Sequence, residues 1–83
     1  MRLVISERAK KDLLSADLKN RQRIQEGIDR ALIDMRAADV LKIKGQADRW
    51  RLRVGDFRVI LRIDQAEGVI YALRVVHRKE AYR

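Results

Sequence analysis

Arginine recurs at alternate positions in the second half of this chain. Arg51, Arg53, Arg58 and Arg62 lie in the run Trp-Arg-Leu-Arg-Val-Gly-Asp-Phe-Arg-Val-Ile-Leu-Arg-Ile (50–63). Arg74 and Arg78 lie in Val-Ile-Tyr-Ala-Leu-Arg-Val-Val-His-Arg-Lys-Glu-Ala-Tyr-Arg (69–83). A strand sends neighbouring side chains to opposite faces. One face of such a sheet is therefore apolar, and the other carries a row of guanidinium groups, which donate to phosphate oxygens in a bidentate geometry. A cationic face running into a basic tail with Tyr82 is a place to hold a polyanion. The bland alternative is a solvated outer face, where Arg often sits.

The elements that position these residues follow from spacing. Arg2 to Ile5 reads as a first strand. Ser6 can cap a helix over Glu7 to Ser15, with Ala9, Leu13 and Ala16 on its buried side. Asp17 or Asn20 can cap a second helix over about Leu18 to Arg36. Ile24, Ile28, Ala31, Leu32 and Met35 form its apolar stripe, with Gly27 beside them for close packing against the first helix. Val40 to Lys44 reads as a strand. Trp50 to Val54 and Phe57 to Ile63 form a hairpin across Gly55-Asp56, a pair suited to a type I′ or II′ turn. Gly68 turns the chain into a last strand, Val69 to His77.

Register follows from matching the faces. The two-residue turn sets Val54 opposite Phe57, Arg53 opposite Arg58 and Leu52 opposite Val59. Pairing Ile63 with Val69 then sets Leu61 opposite Tyr71, Val59 opposite Leu73 and Arg58 opposite Arg74. The core face becomes Trp50, Leu52, Val54, Phe57, Val59, Leu61, Ile63, Tyr71, Leu73 and Val75. The other face holds Arg51, Arg53, Arg58, Arg62, Arg74 and, if the strand continues, Arg78. Like charges directly across a sheet destabilise it, which argues for a partner anion. The fold class expected is α+β: a short N-terminal strand and an antiparallel helix pair on one face of an antiparallel sheet, as one domain over residues 1–83.

Composition narrows the partners. The chain has 83 residues, no Cys and a formal net charge of +8. Residues 1–39 hold nine Lys or Arg against seven Asp or Glu, and residues 40–83 hold eleven against five. The excess sits in the half that reads as sheet, which points to nucleic acid first and an acidic protein beside it. Without Cys there is neither a disulfide framework nor a thiolate metal site, and no metal or other cofactor is expected. A cysteine-free chain fits a reducing cytoplasm. No apolar run is long enough to span a bilayer or to act as a secretory signal, so no membrane partner is expected.

Three segments taken together carry a resemblance: Lys42-Ile-Lys-Gly45, then residues 50–60, then Val-His-Arg-Lys-Glu-Ala-Tyr-Arg (76–83). They resemble the RelE side of the RelE/ParE toxin superfamily, over essentially the whole chain. The resemblance implies the toxin of a type II toxin-antitoxin pair: a metal-independent endoribonuclease that enters the ribosomal A site and cuts mRNA there. It also implies a cognate antitoxin, acidic or amphipathic and partly disordered when free, alongside the ribosome and mRNA as partners.

By position, Arg58 and Arg78 would clamp the scissile phosphate and stabilise transition-state charge. Arg51 and Arg53 match basic positions that assist proton transfer or hold the backbone. Tyr82 matches the family's tail Tyr, which would stack on a base or steer the 2′-OH. These five are the expected catalytic residues. Lys42, Lys44, Arg62, Arg74, Lys79 and Arg83 are the expected further RNA contacts. Some relatives place Lys where this chain has Arg51 and Arg53, and Arg is a poor general base. Base catalysis would then fall to His77, Glu80, Tyr82 or the ribosome. His77 is the only imidazole, a side-chain type suited to proton transfer, but strand parity puts it on the core side. Val76 stands where many relatives have Gly. Two alternatives remain: a ParE-like toxin acting on DNA gyrase, and a non-catalytic nucleic-acid-binding relative. The tail His-Arg-Lys-Glu-Ala-Tyr favours the nuclease, because the gyrase branch generally lacks this Arg-and-Tyr set.

Overall fold

The structure, a computed structural model, describes residues 1–81. Strand β1 (Arg2–Ile5) leads into helix α1 (Glu7–Ser15) and helix α2 (Leu18–Ile33). A 3₁₀ turn (Met35–Ala37) precedes strands β2 (Val40–Lys42), β3 (Arg49–Val54), β4 (Phe57–Asp64) and β5 (Val69–His77), and a single helical turn, α3 (Arg78–Ala81), follows them. The five strands form one sheet in the order β1-β5-β4-β3-β2. Strands β2 to β5 are antiparallel neighbours, and β1 adds to β5 in parallel, making the sheet mixed. No helix among the described residues is long and apolar enough to cross a membrane.

Local chemistry sets the helix boundaries. Ser6 has extended backbone, and its Oγ accepts from Ala9 N at 3.1 Å, satisfying one of the donors left open at the start of α1. Asp17 does the same for α2 by accepting from Asn20 N at 3.2 Å. Arg21 closes the end of α1, donating from Nε to Leu13 O at 3.0 Å and from Nη2 to Leu14 O and Ala16 O at 3.3 and 3.1 Å. Helix α2 stops three residues before its expected end. Asp34 leaves the helical conformation at φ −153° and its carboxylate accepts from Arg36 N at 2.9 Å, starting the 3₁₀ turn instead. Met35 still reaches the core through that turn.

The core lies between the helices and one sheet face. Ala9 and Leu13 of α1 and Ile24, Ile28 and Ala31 of α2 meet Leu52, Val59, Leu61, Ile63, Ile70, Ala72 and Val75. Each fully buried Leu or Ile contributes about 1.5–3 kcal/mol. Helix α1 packs on β5 and α2 on β3. Gly27 therefore faces β3 rather than α1: a Cβ added there would stand 2.5 Å from Val54 Cγ2.

The β3–β4 register is the expected one, with Val54 opposite Phe57, Arg53 opposite Arg58 and Leu52 opposite Val59. Its turn has positive φ (56°) at Gly55 and at no non-Gly residue, the type II′ pattern. Strand β2 is shorter than expected, ending at Lys42. The expected β4–β5 register is corrected. Strand β4 runs on to Asp64, which pairs with Val69 and whose carboxylate accepts from Glu67 N at 3.0 Å. Ile63 then pairs with Ile70, Leu61 with Ala72 and Arg62 with Tyr71. Between the Leu61–Ala72 and Ile60–Arg74 pairs one extra residue, Leu73, is accommodated as a bulge. Tyr71 consequently leaves the core for the arginine face, and Leu73 drops out of the core cluster. Beyond the bulge the expected faces return, with Val75 inward opposite Val59.

Candidate functional site

The sheet face away from the helices is built from three rows. Strand β3 supplies Arg49, Arg51 and Arg53; β4 supplies Arg58, Ile60 and Arg62; β5 supplies Tyr71, Arg74 and Val76. Arg53 lies directly opposite Arg58, and Arg49 opposite Arg62. Ile60 stands between Arg51 and Arg74. The repulsion within these cross-strand pairs is real, and several groups relieve it. Asp39 lies 3.7 Å from Arg53 Nε, an exposed pair of little energetic weight. Asp48 lies 2.8 Å from Arg49 Nη1. Arg62 Cζ sits 4.2 Å from the Tyr71 ring centroid, a cation–π stack.

Arg58 is different. It is 6% exposed, the one buried charged residue among those described. Its Nη1 donates to Phe57 O at 3.2 Å, while its Nε has no partner among the described residues. Burying a guanidinium with so little compensation costs stability. Arg78 opens α3 beside the β3–β4 turn, where its N–H donates to Asp56 O at 2.6 Å. Both Arg78 and Lys79 are exposed. Arg53 and Arg58 thus lie opposite each other at one end of the face, next to the turn against which Arg78 begins α3, with Arg51 further along β3.

Other expected site residues are held apart from Arg53 and Arg58. Lys42 pairs with Trp50 on the helix-bearing side, its Nζ 5.8 Å from that ring's centroid. Lys44 sits in the turn before β3. Arg74 is held at the edge of β5 by Asp12, its Nε 2.9 Å from Oδ2. His77 pairs with Phe57 on the core side, as parity predicts, with ring centroids 5.3 Å apart at 83°. Its Nδ1 accepts from Lys79 N at 3.2 Å. It lines a cleft of about 310 Å³ with Asp12, Ser15, Ala16, Phe57 and Val75. The sheet therefore separates His77 from the arginine rows. Tyr82 and Arg83 lie outside the described residues.

Three residues of this region escaped the sequence reading. Arg49 continues the series of Arg51 and Arg53 and was there to be found. Tyr71 reaches the face only through the corrected register. Asp12 has one signal, an acid placed within the apolar stripe of Ala9, Leu13 and Ala16.

A mixed sheet backed by two helices, with a row of arginines on its open face, defines a small α+β domain suited to anions. The family model described as "ParE toxin of type II toxin-antitoxin system, parDE" matches residues 3–82. The chain belongs to that family, within the RelE/ParE superfamily of type II toxins. Among solved structures it is similar to the RelB-RelE antitoxin-toxin complex from Methanococcus jannaschii, at 28% identity and TM-score 0.79, covering 95% of this chain and 94% of that one. It is also similar to the archaeal RelE-RelB complex from Pyrococcus horikoshii, at 29% identity and TM-score 0.76, covering 93% of each. The isolated RelE toxin of E. coli shares the fold at 21% identity and TM-score 0.78, covering 98% of this chain and 89% of that one. No curated protein matches the chain.

Proposed function

We propose that this toxin is a ribosome-dependent endoribonuclease of the RelE kind, cleaving mRNA in the A site and arresting translation. The observation that supports it is Arg58, a buried guanidinium on an arginine face with Arg53 directly opposite. In the reaction, the ribose 2′-OH gives up its proton to a base and its oxygen attacks the adjacent 3′-phosphorus. The P–O5′ bond breaks, a 2′,3′-cyclic phosphate forms and the 5′-oxygen takes a proton. Negative charge gathers on the phosphoryl oxygens, where Arg58, Arg53 and Arg78 would stabilise it. Arg51 and Arg62 would hold the neighbouring backbone. With His77 behind the sheet, proton transfer falls to the tail, Glu80 to Tyr82, or to the ribosome. We further propose a cognate antitoxin, acidic or amphipathic, as the partner, in line with the RelE-RelB complexes of the similar structures.

The test is mRNA cleavage in a purified translation system, with and without ribosomes, comparing wild type with Arg58→Ala. Cuts within A-site codons, only on ribosomes and reduced at least about 100-fold in the variant, are expected. Intact mRNA with correctly folded protein would overturn the nuclease. The family description favours one second reading, a ParE-like toxin acting on DNA gyrase. Inhibited supercoiling that survives Arg58→Ala would support it.

A further inference from the structure

The bulge at Leu73 decides which residues of β5 face the arginines. Before it, Ile70 and Ala72 point to the core and Tyr71 away; after it, Val75 and His77 share the side of Val59 and Phe57, and Arg74 and Val76 the other. An unbroken strand would reverse the second half, since a one-residue slip flips every side chain. Arg74 and Val76 would turn toward the helices, and His77 would join the arginine face. Something must hold the irregular phase, because a bulge forgoes regular ladder bonds.

Helix α1 does this with side chains. Strand β1 pairs with β5 only as far as Ala72. Beyond that point the edge of β5 has no strand neighbour on that side, and α1 lies against it. Ser6 N donates to Ala72 O and Ser6 Oγ to Leu73 O, each at 2.9 Å. Asp12 Oδ2 then accepts from Val75 N at 2.8 Å and from Arg74 Nε at 2.9 Å. Asp12 stands within the Ala9, Leu13, Ala16 stripe, where an apolar residue would suit helix packing better. Its side chain is 15% exposed. One carboxylate thus replaces a missing strand for the backbone and fixes the arginine beside it.

We propose that Asp12 is a positioning residue. It pins the bulged half of β5 and thereby sets Arg74 toward the RNA face and His77 away from it. The RNA half of this rests on the nuclease reading; the strand phase does not. Three variants separate the parts. Asp12→Ala removes the acceptor. Asp12→Leu also removes it but completes the apolar stripe, so a folded variant without the acceptor is available. Asp12→Asn keeps an oxygen for Val75 N and loses the charge.

The readouts are amide hydrogen exchange at Val75, cross-strand nuclear Overhauser contacts between Ile60 and Arg74, and affinity for an uncleavable single-stranded RNA oligonucleotide. In the Ala and Leu variants, Val75 exchange should rise by about tenfold or more, and the Ile60–Arg74 contacts should weaken. RNA affinity should fall as far as in Arg74→Ala, about three- to tenfold, and the double variant with Arg74→Ala should be no weaker. Asp12→Asn should keep Val75 protected and bind RNA within about twofold of wild type. Unchanged exchange and contacts in the Ala and Leu variants would overturn the proposal, as would losses from Asp12→Leu and Arg74→Ala that multiply. Altered phase together with no RNA binding by wild type would uphold Asp12's role in the strand and overturn the nuclease reading.

Discussion

Arg58 shows how a single residue can set stability against function. A buried group with an unmet donor costs about 1–3 kcal/mol, and more when charged. Replacing it with an apolar side chain of similar length removes that cost. Arg58→Met should therefore raise the free energy of unfolding by about 1 kcal/mol or more, measured by urea denaturation. The same variant should lose ribosome-dependent cleavage. A marked loss of stability would instead make Arg58 a structural residue and remove the observation that supports the nuclease. The arginines themselves were legible in the sequence, because period 2 within each strand and the two-residue turn at Gly55-Asp56 together assign Arg51, Arg53, Arg58 and Arg62 to one face. Whether each is free was not. Pairing with Asp12, Asp39 or Asp48, and stacking on Tyr71, depend on tertiary contacts that spacing does not report.

At the scale of elements, the local signals fixed most starts and fewer ends. Ser6 and Asp17 cap the two helices as their residue types lead one to expect, and Gly55 turns the first hairpin. Asp34 ends α2 early because its side chain offers the backbone a competing turn. The second hairpin slipped because face matching cannot see an inserted residue; the bulge leaves Val75 inward under either register. Gly27 looked like a helix–helix contact and is a helix–sheet one. This makes a sharp expectation. Gly27→Ala gains roughly 1 kcal/mol of helix propensity but places Cβ 2.5 Å from Val54 Cγ2, and Val is stiff at χ1. Overpacking of this kind costs about 1–3 kcal/mol, so the variant should have a lower urea midpoint than wild type. In a Val54→Ala background the sign should reverse, since the clash is gone and the propensity gain remains. A loss of the same size in both backgrounds would show that α2 does not meet β3 at this point.

The whole molecule has two unlike sides. The helices cover one sheet face and lie within residues 1–39, which hold nine basic residues against seven acidic, while residues 40–83, with the strands of the open face, hold eleven against five and so most of the excess of +8. Such an asymmetry steers a polyanion toward one side before any specific contact forms. Neutralising Z phosphates of a single strand gives log affinity a slope of about −0.7Z against log salt. Arg51, Arg53, Arg58 and Arg78 are held by neither a strong ion pair nor a ring stack among the described residues, so about four phosphates can be met and a slope near −3 is expected. Fluorescence anisotropy with an uncleavable RNA oligonucleotide, titrated across salt concentrations, measures it directly. The slope should shorten by about 1 in Arg51→Ala and should not move in Lys19→Ala, a helix lysine of the same charge. A slope near zero would mean that the arginine face is only a solvated surface. Equal shortening in both variants would mean that net charge, rather than the ordered rows on the sheet, does the binding. The arrangement of strands would then have no part in recognition, and the face would be better sought as a contact for a folded protein.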